Sequence, residues 1–315
     1  MTTANNPNNN LSPWKPGQSG NPTGRPRGTR DLAGYVLETT DGGKELVDAL
    51  VSIARGVMPN VPVQEGSRPR KDQQVRPADQ LKAIEMLLDR GADMLAANAD
   101  GHMAIHYAAL AGCLRACVTL LDRGCDTDVV TTGRYGQTPL QLASSMGNVD
   151  VTQYLVSRGA DVDLADANGM TALHYASLNG SKDVVAFLLE KNLDADARDE
   201  AWATPLHLAA GIGATNVVAL LCQHGGNTNA RDGNGHTPLH YAAYLGHAEA
   251  AKTLVDHGAS KRVRGEDGQL PFQLAAKAGH ADMADSLASD DAPLVLAIRR
   301  SDAVQVRKRI KAKME

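Results

Sequence analysis

Aromatic side chains are scarce in this chain: two Trp, seven Tyr and two Phe among 315 residues. A globular domain of this length ordinarily fills a deep core with large rings. Their scarcity points instead to a thin architecture packed with Ala, Leu and Val. Long apolar runs are missing too. Although 43% of residues are apolar, no stretch reaches the roughly 18 consecutive residues of a membrane-spanning helix. The start, Met1 to Asn10, is polar and Asn-rich and lacks the apolar core of a secretory signal, so a cytoplasmic location is expected. Cysteine is sparse: Cys113, Cys117, Cys125 and Cys222 are unevenly placed and read as small buried thiols in a reducing compartment. A Gly-rich phosphate loop, a nucleophile elbow and a His-Glu-x-x-His pair are all absent from the sequence. No catalytic residue, cofactor or small-molecule substrate is therefore expected.

What the chain has instead is one phrase repeated at a fixed step. It reads Met103-Ala104-Ile105-His106, Thr138-Pro139-Leu140-Gln141, Thr171-Ala172-Leu173-His174, Thr204-Pro205-Leu206-His207 and Thr237-Pro238-Leu239-His240, with a worn copy at Leu270-Pro271-Phe272-Gln273. The steps between first residues are 35, 33, 33, 33 and 33. Such a period means stacked units, each resting on its neighbours, and not one central core.

The chemistry of a single copy explains its local structure. Thr is a good N-cap, because its hydroxyl accepts from an amide of the first helical turn. Pro suits the first helical position, where no amide is needed and φ is already helical. In the fourth copy an apolar run from Leu206 to Ala210 follows, and Gly213 ends the helix. A second helix turns Val217, Val218, Leu220 and Leu221 toward the core and closes at Gly225. The turn sequence Asn227 to Asp232 then leads to the next Thr. On these residues the chain from about Leu81 to Lys313 resembles an ankyrin-repeat protein. The resemblance implies an all-α solenoid of stacked helix-turn-helix units with β-hairpin-like fingers, monomeric and devoted to binding another protein.

The ten histidines invite a metal reading, which the spacing opposes. His106, His174, His207 and His240 lie a whole repeat or more apart along a stack, too far to share one ion. They resemble the family's structural histidine, which bonds backbone in the adjoining turn. His247 and His280, after the inter-helix Gly, are equally tied to the repeat. Cys113 and Cys117 lack the tight knuckle and fourth ligand of a zinc site, so no metal is expected.

Charge is unevenly spread. Residues 1–30 carry Lys15, Arg25, Arg27 and Arg30 and no acid, whereas residues 298–315 hold seven basic residues against Asp302 and Glu315. With a total of −4, the +4 and +5 of these ends leave −13 on residues 31–297, which makes the body a poor general DNA binder. Residues 1–30 read as a disordered basic tail. Residues 31–99 read as a helical cap with a mobile loop at 57–77, residues 100–289 as the repeats, and residues 290–315 as a truncated capping repeat. The basic C-terminal helix fits the polar outer face of a cap; recognition by a secretion apparatus or by anionic lipid is the alternative.

The N-terminal phrase Trp14-Lys15-Pro16-Gly17-Gln18-Ser19-Gly20-Asn21-Pro22-Thr23-Gly24-Arg25-Pro26-Arg27-Gly28, with Asp41-Gly42-Gly43-Lys44-Glu45-Leu46-Val47 and Leu87-Leu88-Asp89-Arg90-Gly91, is similar to phage and prophage proteins related to terminase small subunits. That resemblance covers about residues 13–91 and implies a bacterial or phage-infected cell. Gly24-Arg25-Pro26-Arg27-Gly28 also resembles an AT-hook core, in which an extended Arg-Pro segment lies in a narrow minor groove. Thr23 stands where a further Arg is usual. A DNA-contacting adaptor, with Lys15, Arg25, Arg27 and Arg30 on phosphate or groove, is thus the alternative to a pure protein-binding scaffold. A secreted effector is a third reading.

The candidate surface lies where packing imposes no apolar requirement. The two residues before each inter-helix Gly face the concave side in the repeats this chain resembles. Here they give a broken stripe of Leu110, Met146, Leu178, Ile212, Tyr244 and Leu245. Arg134, Tyr135, Asp166, Asn168, Met170, Glu200, Trp202, Asp232, His236 and Asp267 are expected at the hairpin tips lining the groove. Their acids suggest a partner of basic character. Trp202 replaces a hairpin Gly and is expected to project, either as a binding anchor or to stiffen a turn that lacks Gly.

Overall fold

Each recurrence of the four-residue phrase opens a helix. In the computed structural model, residues 93–98, 101–191 and 193–288 are described. The basic tail, the capping repeat at 290–315 and the segment 31–99, apart from 93–98, lie outside these residues. Among the described residues twelve helices follow one another as six pairs. The first helices of the pairs are α1 (Ala104–Leu110), α3 (Pro139–Ser145), α5 (Ala172–Asn179), α7 (Pro205–Ile212), α9 (Pro238–Leu245) and α11 (Pro271–Ala278). Their partners are α2 (Leu114–Asp122), α4 (Val149–Ser157), α6 (Lys182–Leu189), α8 (Thr215–Gln223), α10 (Ala248–Asp256) and α12 (Ala281–Leu287). First helices pack on first helices of the next pair and second on second, so the units stack in chain order.

Two rows of aliphatic side chains form the core. Ile105, Leu140, Leu173, Leu206 and Leu239, the third residue of successive phrases, are fully buried. Leu120, Leu155, Leu188 and Leu221 form the matching row on the second helices. A core one helix pair thick needs few large rings, in keeping with their scarcity, and Tyr107 and Phe272 are among those it buries. Pro139, Pro205, Pro238 and Pro271 each occupy the first turn of their helix.

Between pairs the chain projects as fingers. Backbone bonds close them, as from Asp166 N–H to the Met170 carbonyl at 3.0 Å and from Gly169 N–H to the Asp166 carbonyl at 2.9 Å, repeated at Asp232, His236 and Gly235. Adjacent fingers are joined tip to tip: the amides of Ala167, Glu200, Gly233 and Glu266 donate to the carbonyls of Tyr135, Asn168, Ala201 and Asn234 at 2.8–2.9 Å. The 35-residue step has its cause here. The corresponding bond in the first finger runs from Thr131 to Gln137, so the extra length lies in a longer loop carrying Arg134 and Tyr135. No strand is formed among the described residues.

Candidate partner-binding surface

The exposed ends of the first helices make a floor without charge over five pairs. Met146 (56% exposed), Leu178, Ile212, Tyr244 (53%) and Leu245 stand open to solvent. Their uncharged neighbours are Ala111, Ser145, Asn179 and Gly211, and the first charge is Lys277 on α11. Tyr135 is exposed on the first finger, with Arg134 5.6 Å above its ring. Leu110 departs from expectation. It is half-buried, packed against the main core and against Tyr107, which also meets Ala96 of the preceding segment.

Trp202 is 58% exposed and its φ is +63°, the one non-Gly residue with positive φ among those described. Gly169 and Gly235 hold the equivalent places at +76° and +70°. The left-handed conformation crowds any side chain, at a cost of roughly 1 kcal/mol relative to Gly. Arg198 lies 4.9 Å above the indole. The ring is therefore held outward in a conformation its own backbone disfavours.

The acidic rim does not form as expected. Asp166 (8% exposed) and Asp232 (6%) turn into their own fingers. Asp166 Oδ1 accepts from the amides of Asn168 (2.8 Å) and Met170 (2.9 Å), and its Oδ2 accepts from the Tyr175 hydroxyl at 2.6 Å. Asp232 repeats this with Asn234, His236 and Tyr241. Burial and the adjacent carboxylate push both tyrosine hydroxyls well above their usual range. Asn98 and Tyr107 make a neutral version at 2.7 Å. The separation is nine residues each time, and that signal was present in the sequence. Glu200 and Asp267 remain exposed, while Asn168, Met170 and His236 are half-buried.

A second signal also escaped the sequence reading. Arg198, Arg231 and Arg264 recur every 33 residues at the base of successive fingers, and all three are exposed. Exposed finger charge is thus mixed, with cations as prominent as acids.

Residues 105–199 and 194–265, together just over half of the chain, match the family described as ankyrin repeats (3 copies). The chain belongs to the ankyrin-repeat family. Its repeats make it a protein–protein interaction module. Residues 10–126 also match a family of unknown function, DUF5681, so that match runs past Gly91 and through the first ankyrin helix pair. Lys15, Arg25, Arg27 and Arg30 lie within it but outside the described residues.

The ankyrin histidines hold backbone together. Thr204 N–H donates to His207 Nδ1 at 3.0 Å, so Nε2 carries the proton and donates to the His236 carbonyl at 3.1 Å. His174 and His240 bond in the same way to the carbonyls of Ala203 and Gln269, both at 3.3 Å. His106 reaches Val129 instead, where the longer finger departs. Burial pushes all four below the ordinary imidazole range, with His106 and His240 at about 4. His247 reaches back to the Gly211 carbonyl at 2.9 Å.

Cys117 and Cys125 are buried, and Cys113 and Cys222 half-buried. Desolvation raises the Cys117 thiol to about 12 and those of Cys125 and Cys222 to about 11, which opposes thiolate chemistry at neutral pH. Among the described residues no three His, Cys, Asp or Glu side chains converge as metal ligands. No helix among them is long and apolar enough to cross a membrane.

Proposed function

We propose that this ankyrin array is a non-enzymatic scaffold that docks a protein ligand on its concave face through Leu110, Tyr135, Met146, Leu178, Trp202, Ile212, Tyr244 and Leu245. The observation that carries the reading is the uncharged, exposed floor flanked by a projecting Trp in a disfavoured backbone conformation. Core packing does not require apolar residues at these exposed positions, and Trp and Tyr dominate the binding energy of many interfaces. The half-buried Leu110 contributes at the edge, while Met146, Trp202 and Tyr244 offer the most area. Replacing Trp202 and Tyr244 together by Ala is expected to weaken a partner captured from native lysate by at least about 2 kcal/mol. Unchanged affinity of the purified pair would place the contact elsewhere.

The second reading is a phage-associated DNA adaptor. It draws on the Gly-Arg-Pro-Arg-Gly segment, which lies within the match at residues 10–126. A fragment spanning residues 13–30 is then expected to bind AT-rich duplex in preference to GC-rich duplex, more weakly as salt rises. Absence of salt-sensitive binding to either duplex would remove this reading and leave the protein scaffold standing.

A further inference from the structure

The three finger arginines have neighbours but make no ion pair among the described residues. The Arg198 guanidinium lies over the Trp202 ring, Arg231 Nη2 donates to the Arg264 carbonyl at 3.1 Å, and Arg264 Nη1 donates to the Gly268 carbonyl at 2.8 Å. Each of these contacts takes up at most one nitrogen of its guanidinium, and all three residues are exposed. Among the described residues none of the three makes an ion pair, in contrast to Arg158, whose guanidinium meets Asp122 at 2.6 Å.

We propose that the fingers bind an acidic, extended peptide segment of the partner, with Arg198, Arg231 and Arg264 as the contacts for its carboxylates and Trp202 against its apolar side chains. This rests on the protein-docking reading above and specifies the partner's chemistry. The arginines recur once per repeat, and packed helices lie about 10 Å apart. A polyproline-II chain has three residues per turn and rises about 3.1 Å per residue, so every third side chain returns to one side at nearly that interval. Glu or Asp at every third position would meet successive guanidinium groups, whose planar fork suits carboxylates.

Two observations favour peptide over nucleic acid. The exposed Glu200, Glu266 and Asp267 interrupt the cationic row, which repels a continuous polyphosphate but leaves room for spaced carboxylates. The uncharged floor beside the fingers calls for apolar side chains, which a phosphate backbone lacks.

The test uses the full chain with Trp14→Phe, which leaves Trp202 as the sole indole. Its fluorescence is followed at low salt against a peptide of about twelve residues with Glu at every third position and Pro and Leu between. The Lys-for-Glu counterpart and a single-stranded DNA of similar length serve as the other probes. A saturable shift is expected with the Glu peptide alone. It should weaken with salt, and by about tenfold or more in R198Q/R231Q/R264Q. Thermal unfolding checks that this variant folds, and the single R198Q is read in the same way. No response to the Glu peptide, equal binding of the Lys peptide, tighter binding of DNA, or unchanged affinity in the arginine variants would overturn the proposal. With the captured partner, loss in W202A/Y244A but not in the arginine variant removes only the acidic chemistry, whereas no loss in either removes the docking face as well.

Discussion

Four of the six first helices are held by a histidine and two by a glutamine, and the two kinds of repeat do the same work. Gln141 Oε1 accepts from the Thr138 amide at 2.8 Å, and its Nε2 donates to the carbonyls of Leu164 (2.9 Å) and Met170 (3.1 Å). Gln273 accepts from the Leu270 amide at 2.8 Å. What the position needs is an acceptor facing the cap and a donor facing the next finger. An imidazole meets that need in only one of its protonation states; an amide meets it at any pH.

The two kinds of repeat differ most in acid. His106 and His240 are held neutral, with folded values of about 4 against 6.5 unfolded. The unfolded chain therefore binds more protons between these values. Stability is full above pH 6.5 and falls as pH drops toward about 4, by up to about 3 kcal/mol for each of the two. His174 and His207 shift in the same direction and add to the slope. Urea midpoints measured from pH 8 to pH 4 check this, and a flat profile would contradict the neutral tautomer.

A smaller effect separates folding from binding at the fingers. Trp202→Gly places the residue of the neighbouring fingers at the same left-handed position and is expected to stabilise the fold by roughly 0.5–1 kcal/mol in thermal or urea unfolding. The same variant should bind partner less well. A loss of stability would mean that the indole braces its own turn.

The smallest change in neutral stability is also the sharpest test. His106→Gln with His240→Gln should alter stability at pH 8 by less than about 1 kcal/mol, because the amide can make both bonds. The acid slope from these two sites should disappear. A slope left intact would assign the acid sensitivity to other groups.

Much of this was legible in the sequence because a repeat states each requirement several times. The helix starts and the apolar face of each helix followed from capping chemistry and the 33-residue step, while the backbone role of the histidines came with the resemblance to ankyrin repeats. The exposure of Met146, Leu178, Ile212, Tyr244 and Leu245 followed from the same resemblance, since the residues before the inter-helix Gly face the concave side in ankyrin repeats. Burial of Asp166 and Asp232 did not, since a hairpin acid looks exposed until Tyr175 and Tyr241 are seen to close over it. The half-burial of Leu110 did not either, since it depends on packing against Tyr107 and the main core. The arginine row was visible at the 33-residue step, but its lack of ion pairs was not, because that depends on where neighbouring carboxylates point.

The amide-to-carbonyl links between neighbouring finger tips give the array a common spine. Tyr135 and Trp202, on different fingers, are thereby fixed relative to each other before any ligand arrives. A ligand gripping both finds the geometry already set and forfeits little loop freedom on arrival. Loosening a single intervening tip would tax every contact beyond it.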